Sequence, residues 1–145
     1  MSLLTEEDAR KYVESHKKDT WLIVANNKNI WHPIGYAGLF IRRRHRVGIF
    51  RIAIAEKNYL GQGHAYRTTK MMLDWAFNEC DLISVHLSVS ERNIKAIKLY
   101  KSVGFIHCGI FTNSRFENGI RSNEVLMEYT LKMYHQAAQG EKHGV

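Results

Sequence analysis

The chain has 145 residues, 21 Lys plus Arg against 14 Asp plus Glu for a net charge of +7, 45% hydrophobic and 24% charged residues. That length fits one domain with a core that needs no covalent staples, and the composition excludes a disordered chain. The longest apolar run, about Tyr36 to Ile41, falls far short of the roughly 18 residues of a membrane-spanning helix. The acidic start lacks the apolar centre of a secretion signal, and two cysteines without CxxC spacing point to neither a disulfide framework nor a zinc site. The eight histidines never fall at i, i+4. A reducing, cytoplasmic setting, no membrane contact and no metal are the expectations.

Thr5-Glu6-Glu7-Asp8 reads as a helix start, with a Thr N-cap and acids in the first turn, and predicts a helix to about Lys17. Trp21 to Ala25 is a short strand-like run closed by the turn residues Asn26 to Asn29. A second strand is predicted from about Ile34 to Ile41, after the single proline, Pro33, and before the basic turn Arg42-Arg43-Arg44-His45-Arg46. The third covers about Val47 to Ala55, where Phe50, Ile52 and Ile54 share one face. A loop from Glu56 to Gly63 feeds a helix in which Thr69, Met72, Leu73, Ala76 and Phe77 form an apolar stripe. Ile83 to Val89 is the next strand, and a helix from about Arg92 to Ser102 ends at Gly104, a left-handed C-cap. Strands at Phe105 to Phe111 and Asn123 to Leu131 flank the turn signal Asn118-Gly119. The tail Gln136 to Val145 is polar and reads as frayed. The order predicts one α/β (α+β) domain over residues 1–145, built on a single mixed sheet.

Chemistry concentrates where the third strand hands over to a helix, in Glu56-Lys57-Asn58-Tyr59-Leu60-Gly61-Gln62-Gly63-His64-Ala65. Small residues there let backbone N–H groups approach an anion, and a helix N-terminus adds about half a positive charge. That combination cradles a phosphate or pyrophosphate. The spacing is neither that of a P-loop nor GxGxxG, and Gly61-x-Gly63-x-Ala65 alone reads equally well as a glycine-rich turn. A second stretch is Asn93-x-x-Ala96-x-x-Leu99-Tyr100-x-x-x-Gly104-Phe105. Read alone, its Asn93 is a helix cap and its Tyr100 a core aromatic.

Together, separated by one helix and one strand, the two motifs resemble the GNAT superfamily of acetyl-CoA-dependent N-acetyltransferases. The likeness runs from about Trp21 to Leu131. Within the superfamily the chain is most similar to the branch of ribosomal-protein N-terminal, spermidine and amino-sugar acetyltransferases. Ile34-Gly35, Glu56-Lys57-Asn58-Tyr59, Asp74-Trp75-Ala76-Phe77 and Phe116-x-Asn118-Gly119 carry that likeness.

The resemblance implies a mixed, mostly antiparallel sheet with flanking helices. It implies an acyltransferase that moves the acetyl group of acetyl-CoA, its cosubstrate, to a primary amine of a small molecule or a peptide N-terminus. The strand carrying Ile52, Ala53 and Ile54 would splay from the strand Ile83 to Val89, leaving backbone groups for the pantetheine arm as a sheet edge receives a peptide. The loop Leu60, Gly61, Gln62, Gly63, His64 and Ala65 would hold the pyrophosphate, with backbone N–H groups from Gly61 to Ala65 as donors. An amide of Ile52, Ala53 or Ile54 would polarise the thioester carbonyl. Asn93 would hydrogen-bond the cofactor arm, and Tyr100 would be the catalytic acid that protonates the departing thiolate.

The chain departs from that family at three points. Leu60 stands where relatives often have Arg, Gln or Trp, which removes a side-chain contact and keeps the backbone donors. Ile49 stands where many relatives have a Glu base, so the amine would lose its proton to water or another residue, with His45 and His86 as candidates. The strand and helix with which relatives usually begin have no counterpart before Thr5, so Trp21, Trp31 and Phe40 are expected to pair two chains in a homodimer. Two other classes compete. The arginines of Arg42 to Arg46 could grip RNA or DNA, although no RRM, KH or helix-turn-helix pattern accompanies them. A catalytically degenerate acyl-CoA-binding protein would account for Ile49 and leave Tyr100 unexplained. Cys80 and Cys108 have no nucleophile's surroundings, and Glu117 and Glu124 read as a solvated hairpin before they read as an acceptor site.

Overall fold

The computed structural model of the chain describes residues 7, 11, 19–54 and 63–143. Of the helix expected from Thr5 to Lys17, only Glu7 and Lys11 are among them; both are helical and ion-paired at 2.8 Å. From there the order is β1 (Thr20–Asn27), β2 (Ile30–Arg42), β3 (Val47–Ile54), α1 (His64–Asn78) and β4 (Ser84–Ser90). It continues with α2 (Ile94–Val103), β5 (Ile106–Glu117), β6 (Ile120–Thr130) and α3 (Leu131–His143). No helix among the described residues is long and apolar enough to cross a membrane.

Turn chemistry fixes the hairpins. Lys28 and Asn29 both take positive φ, 50° and 65°, so β1 and β2 are joined by two residues whose twist suits a hairpin. Strand β2 therefore begins earlier than Ile34 and contains Pro33. The proline is tolerated because it lies at a bulge: Ile23 pairs with Gly35 and Val24 with Pro33, which leaves Ile34 as the extra residue. Asn118 and Gly119, at φ 53° and 75°, make the same kind of turn between β5 and β6. Those strands run on to the turn through Thr112, Asn113 and Ser114, polar residues with no alternation to reveal them in the sequence.

The six strands form one sheet in the order β1-β2-β3-β4-β6-β5, antiparallel except for β3 and β4, which are parallel. Period-two alternation puts Leu39, Phe50, Val85, Leu87, Met127 and Tyr129 on one face, and α1 and α2 close over it. The apolar stripe of α1 lies there as predicted, with Thr69, Leu73, Ala76 and Phe77 buried and Met72 half-buried. Thr69 satisfies its hydroxyl inside this core by donating to the Ala65 carbonyl at 2.6 Å. Helix α2 supplies Tyr100 and Val103, and Gly104 ends it at φ 123°. Phe105 then sits between Tyr100 and Tyr129, with ring centroids at 5.8 Å and 5.6 Å in edge-to-face geometry.

The C-terminal end differs from the frayed tail expected from Gln136. It is helical from Leu131 to His143. Leu131, Met133 and Tyr134 pack against the core, and the Tyr134 hydroxyl donates to Asp74 Oδ1 at 2.7 Å and accepts from Asn78 at 3.0 Å. The signal was present as Leu131, Tyr134 and Ala138, three apolar residues at i, i+3 and i+7, outweighed by the polar composition around them.

Candidate functional site

Strands β3 and β4 pair only at Val47 with Ser84, Gly48 with Val85 and Ile49 with His86. Beyond that rung they separate. Strand β3 keeps β2 as a neighbour to its end at Ile54, and β4 keeps β6 to its end at Ser90. Among the described residues, nothing pairs with the other side of Phe50–Ile54 or of Leu87–Ser90. The splay expected from the resemblance is thus present, at the carboxyl ends of two parallel strands, where open α/β sheets bind ligands.

The direction of the free groups can be read from Gly35. A Cβ there would lie 2.0 Å from the Ala53 carbonyl oxygen, so β2 and β3 approach too closely for any other residue. The Ala53 carbonyl therefore points toward β2. By strand alternation, the backbone groups of Ile52 and Ile54 point the other way, into the gap.

Both helices start at this open end. Leu60, Gly61 and Gln62 lie outside the described residues, and Gly63 is the N-cap of α1, in the left-handed conformation at φ 79°. The first backbone bond of the helix runs from Arg67 N to the Gly63 carbonyl at 3.0 Å, so the N–H groups of the turn before Arg67 lie ahead of the intrahelical ladder. The Arg67 side chain folds back over them: its Nη2 is 3.2 Å from His64 Nδ1, and a Cβ on Gly63 would lie 2.8 Å from Nη1. The sequence puts Arg67 in a cluster of cations near the expected cofactor site, with Lys70, Arg92, Lys95, Lys98 and Lys101, which the phosphates of a cofactor would explain; its fold-back over the helix start is visible only in the structure.

Strand β4 ends at Ser90, and α2 begins within four residues. Asn93 caps α2 by accepting from the Ala96 amide at 3.2 Å, so the cap reading of Asn93 holds. The turn is braced by Glu91, which accepts from the Asn123 backbone amide at 3.3 Å and side chain at 3.2 Å. Two helix N-termini thus converge on one opening, each presenting its positive end.

Tyr100 lies behind that opening and is 7% exposed. Its ring meets Phe50 of β3 edge-on at 6.4 Å and Phe105 at 5.8 Å. Burial pushes its phenol from 10.0 up to about 12, so it carries its proton throughout the neutral range. Ile52, Ala53, Ile54, Gly63, Asn93 and Tyr100 are therefore all found around one gap, and His64 and Ala65 open the helix beside it.

Other candidates lie elsewhere. His45 belongs to the exposed turn before β3, at the end away from the gap, with Arg42, Arg43 and Arg44. Arg46 in that turn is tied to Asp81, its Nε donating to the Asp81 carbonyl at 2.8 Å and its Nη2 pairing with the carboxylate at 2.9 Å. Glu117 and Glu124 are both engaged by Arg115, the latter at 3.6 Å. The thiols of Cys80 and Cys108 are pushed up, mainly by desolvation, the opposite of nucleophile activation.

Comparison with known proteins agrees with this geometry. Residues 2–105 match the acetyltransferase (GNAT) family. A spermidine N(1)-acetyltransferase of Vibrio cholerae is 30% identical over 128 residues, 88% of this chain and 71% of that one. The spermidine N(1)-acetyltransferase of Escherichia coli K12 is 35% identical over 86 residues, 56% of this chain, and the match spans about half the length of that relative, 46%. A dodecameric structure of the Vibrio cholerae spermidine N-acetyltransferase superposes with a TM-score of 0.73 at 26% identity, covering 91% of this chain and 75% of that one. The family match over residues 2–105 and the relative 30% identical over 88% of the chain show that the chain belongs to the acetyltransferase (GNAT) family.

Proposed function

We propose that the protein transfers the acetyl group of acetyl-CoA to a primary amine of a small molecule, with a polyamine as the first acceptor to test. The observation that carries the proposal is the parting of β3 and β4 after Ile49 and His86, with α1 and α2 both starting at the gap. The names of the Vibrio cholerae and Escherichia coli relatives support the choice of polyamine. The net charge of +7 opposes a polycation at long range, so the acceptor must be held by local carboxylates.

The residues present fit a cosubstrate with an amide-bearing arm and a pyrophosphate. Backbone groups of Ile52 and Ile54 would hydrogen-bond the arm and support negative charge on the acyl oxygen. Asn93, whose oxygen is spent on its cap, would offer its amide nitrogen. Gly61 to Ala65 and Arg67 would hold the pyrophosphate. Acetyl-CoA supplies an activated acyl group with a thiolate leaving group. Tyr100 would hold the proton for that thiolate, since burial keeps its phenol protonated throughout the neutral range.

Self-association of the chain is part of the proposal, supported by the dodecameric Vibrio cholerae structure. So is a reducing, cytoplasmic setting, supported by the free thiols of Cys80 and Cys108. Calorimetry with CoA, followed by CoA release from acetyl-CoA across a panel of amines, tests the reading. We expect micromolar CoA affinity and turnover with at least one primary amine. Absence of binding at millimolar CoA would remove the proposal.

A further inference from the structure

The last rung between β3 and β4 places a histidine at the edge of the gap, on the face away from the helices. His86 alternates with Val85 and Leu87, which are buried under α1 and α2, so its ring stands on the opposite side of the sheet, where it is exposed. Its partner on β3, Ile49, is 37% exposed on the same side. Its partner on β6 is Glu128, directly opposite. On the helix side, Tyr100 packs edge-on against Phe50, the residue after Ile49. The gap is therefore bounded by a phenol on one face of the sheet and by an imidazole backed by a carboxylate on the other.

We propose that His86 is the base that takes the proton from the incoming ammonium group, with Glu128 as its positioning residue. The inference rests on the acetyl-transfer reading and deepens it. A primary amine at neutral pH is protonated and has no lone pair to attack with, and Ile49 can accept no proton. A neutral imidazole carries a nitrogen lone pair that can take that proton. Cross-strand neighbours have Cβ atoms about 5 Å apart, within reach for Glu128 to orient the ring. Among the described residues, the other charged or titratable groups around it are Arg51, two residues beyond Ile49 on β3, and Cys108 of β5, whose thiol is raised by burial and then by the nearby Glu128 carboxylate. In the balanced step the ammonium gives one proton to His86, which releases it to solvent. The nitrogen lone pair forms the C–N bond as the C–S bond breaks, the sulfur leaves with the bonding pair, and Tyr100 protonates it. The second nitrogen proton restores Tyr100 through water.

The test uses the full chain with acetyl-CoA and spermidine, plus any amine that turns over better. His86→Gln, an exposed substitution, should lower kcat by about 10²-fold and abolish the acidic limb of the pH profile. His86→Ala should regain activity with added imidazole, which a purely structural role would not allow. Glu128→Gln should lower kcat several-fold and leave the KM for acetyl-CoA unchanged. Independently of turnover, the ring resonances of His86 in the CoA-bound protein should shift on adding spermidine and not on adding sodium chloride at equal ionic strength. A His86→Gln enzyme with wild-type kcat and pH profile would overturn the assignment and leave acetyl transfer standing. A wild-type protein that acetylates no amine would overturn both.

Discussion

Tyr100, the proposed acid, is also a residue of the core. Its ring fills the space between Phe50 and Phe105, and its hydroxyl is held protonated by the same burial. Tyr100→Phe keeps the ring and removes the proton. We expect little change in CoA affinity by calorimetry and a fall in kcat of about 10²-fold where proton transfer limits the rate. An unchanged kcat would hand the acid role to water. The raised phenol also makes a stability prediction with a definite sign. The unfolded chain gives up this proton near pH 10.0 and the folded one near 12, so the folded state is undiminished below pH 10 and loses ground as pH rises through that window. The loss approaches about 3 kcal/mol at 1.4 kcal/mol per pH unit. Urea midpoints measured from pH 9 to 12 should therefore fall more steeply for the wild type than for Tyr100→Phe, and parallel curves would show that the phenol is not desolvated.

At the scale of the element, the proposed site joins the ends of β3 and β4 to the starts of α1 and α2. Gly63 makes the first of them possible. Its φ of 79° is a conformation that β-branched residues avoid, and a Cβ would press on the Arg67 guanidinium lying over the helix start. Gly63→Val should lower CoA affinity at least tenfold by calorimetry while the core of α1, which begins at Thr69, stays packed; wild-type affinity would place the phosphate cradle elsewhere. Such junctions were legible because their residues are constrained locally: Gly63 and Gly104 by backbone conformation, Asn93 by capping, and the α1 stripe by period. The parting of β3 and β4 was legible only through the family resemblance, because pairing is a relation between strands distant in sequence. Helix α3 was missed for a physical reason as well. Its burial depends on three apolar residues and on hydrogen bonds from Tyr134 to Asp74 and Asn78, partners about sixty residues away. Pro33 misled in the opposite direction, since a bulge opposite Val24 lets a strand continue through it.

For the whole molecule the question is which edge of the sheet meets another copy. The sequence directs attention to Trp21 of β1 and to Trp31 and Phe40 of β2. The structure gives Trp21 a partner in its own chain, the Trp75 ring of α1 at 4.8 Å in edge-on geometry, while Phe40 stays about half exposed and the Trp31 side chain lies outside the described residues. The opposite edge is more open. Among the described residues, strand β5 has β6 on one side and no strand on the other, and β4 pairs with β6 only from Glu124 to Thr130, so the hairpin beyond Glu124 is a two-stranded ribbon. Such ribbons are marginal alone in water. The ribbon nonetheless exposes Phe116, at 64%, and Ile120, and Ile110 and Phe111 further along β5 are exposed as well. Apolar side chains on an unpaired edge fit burial against a second copy, and a closed two-fold contact would use the same strip on both. The +7 charge opposes that contact, so association should strengthen as salt screens it. We expect sedimentation at micromolar concentration to show a dimer or larger species, more populated at 0.5 M than at 0.05 M sodium chloride. Phe116→Asp places a charge at the centre of the strip and, being exposed, should cost the fold less than about 0.5 kcal/mol. It should release monomers that still bind CoA, because the gap between β3 and β4 lies within one chain. A wild type that sediments as a monomer at both salt concentrations would show that the ribbon stands without a partner, and would leave Phe116 exposed for another purpose.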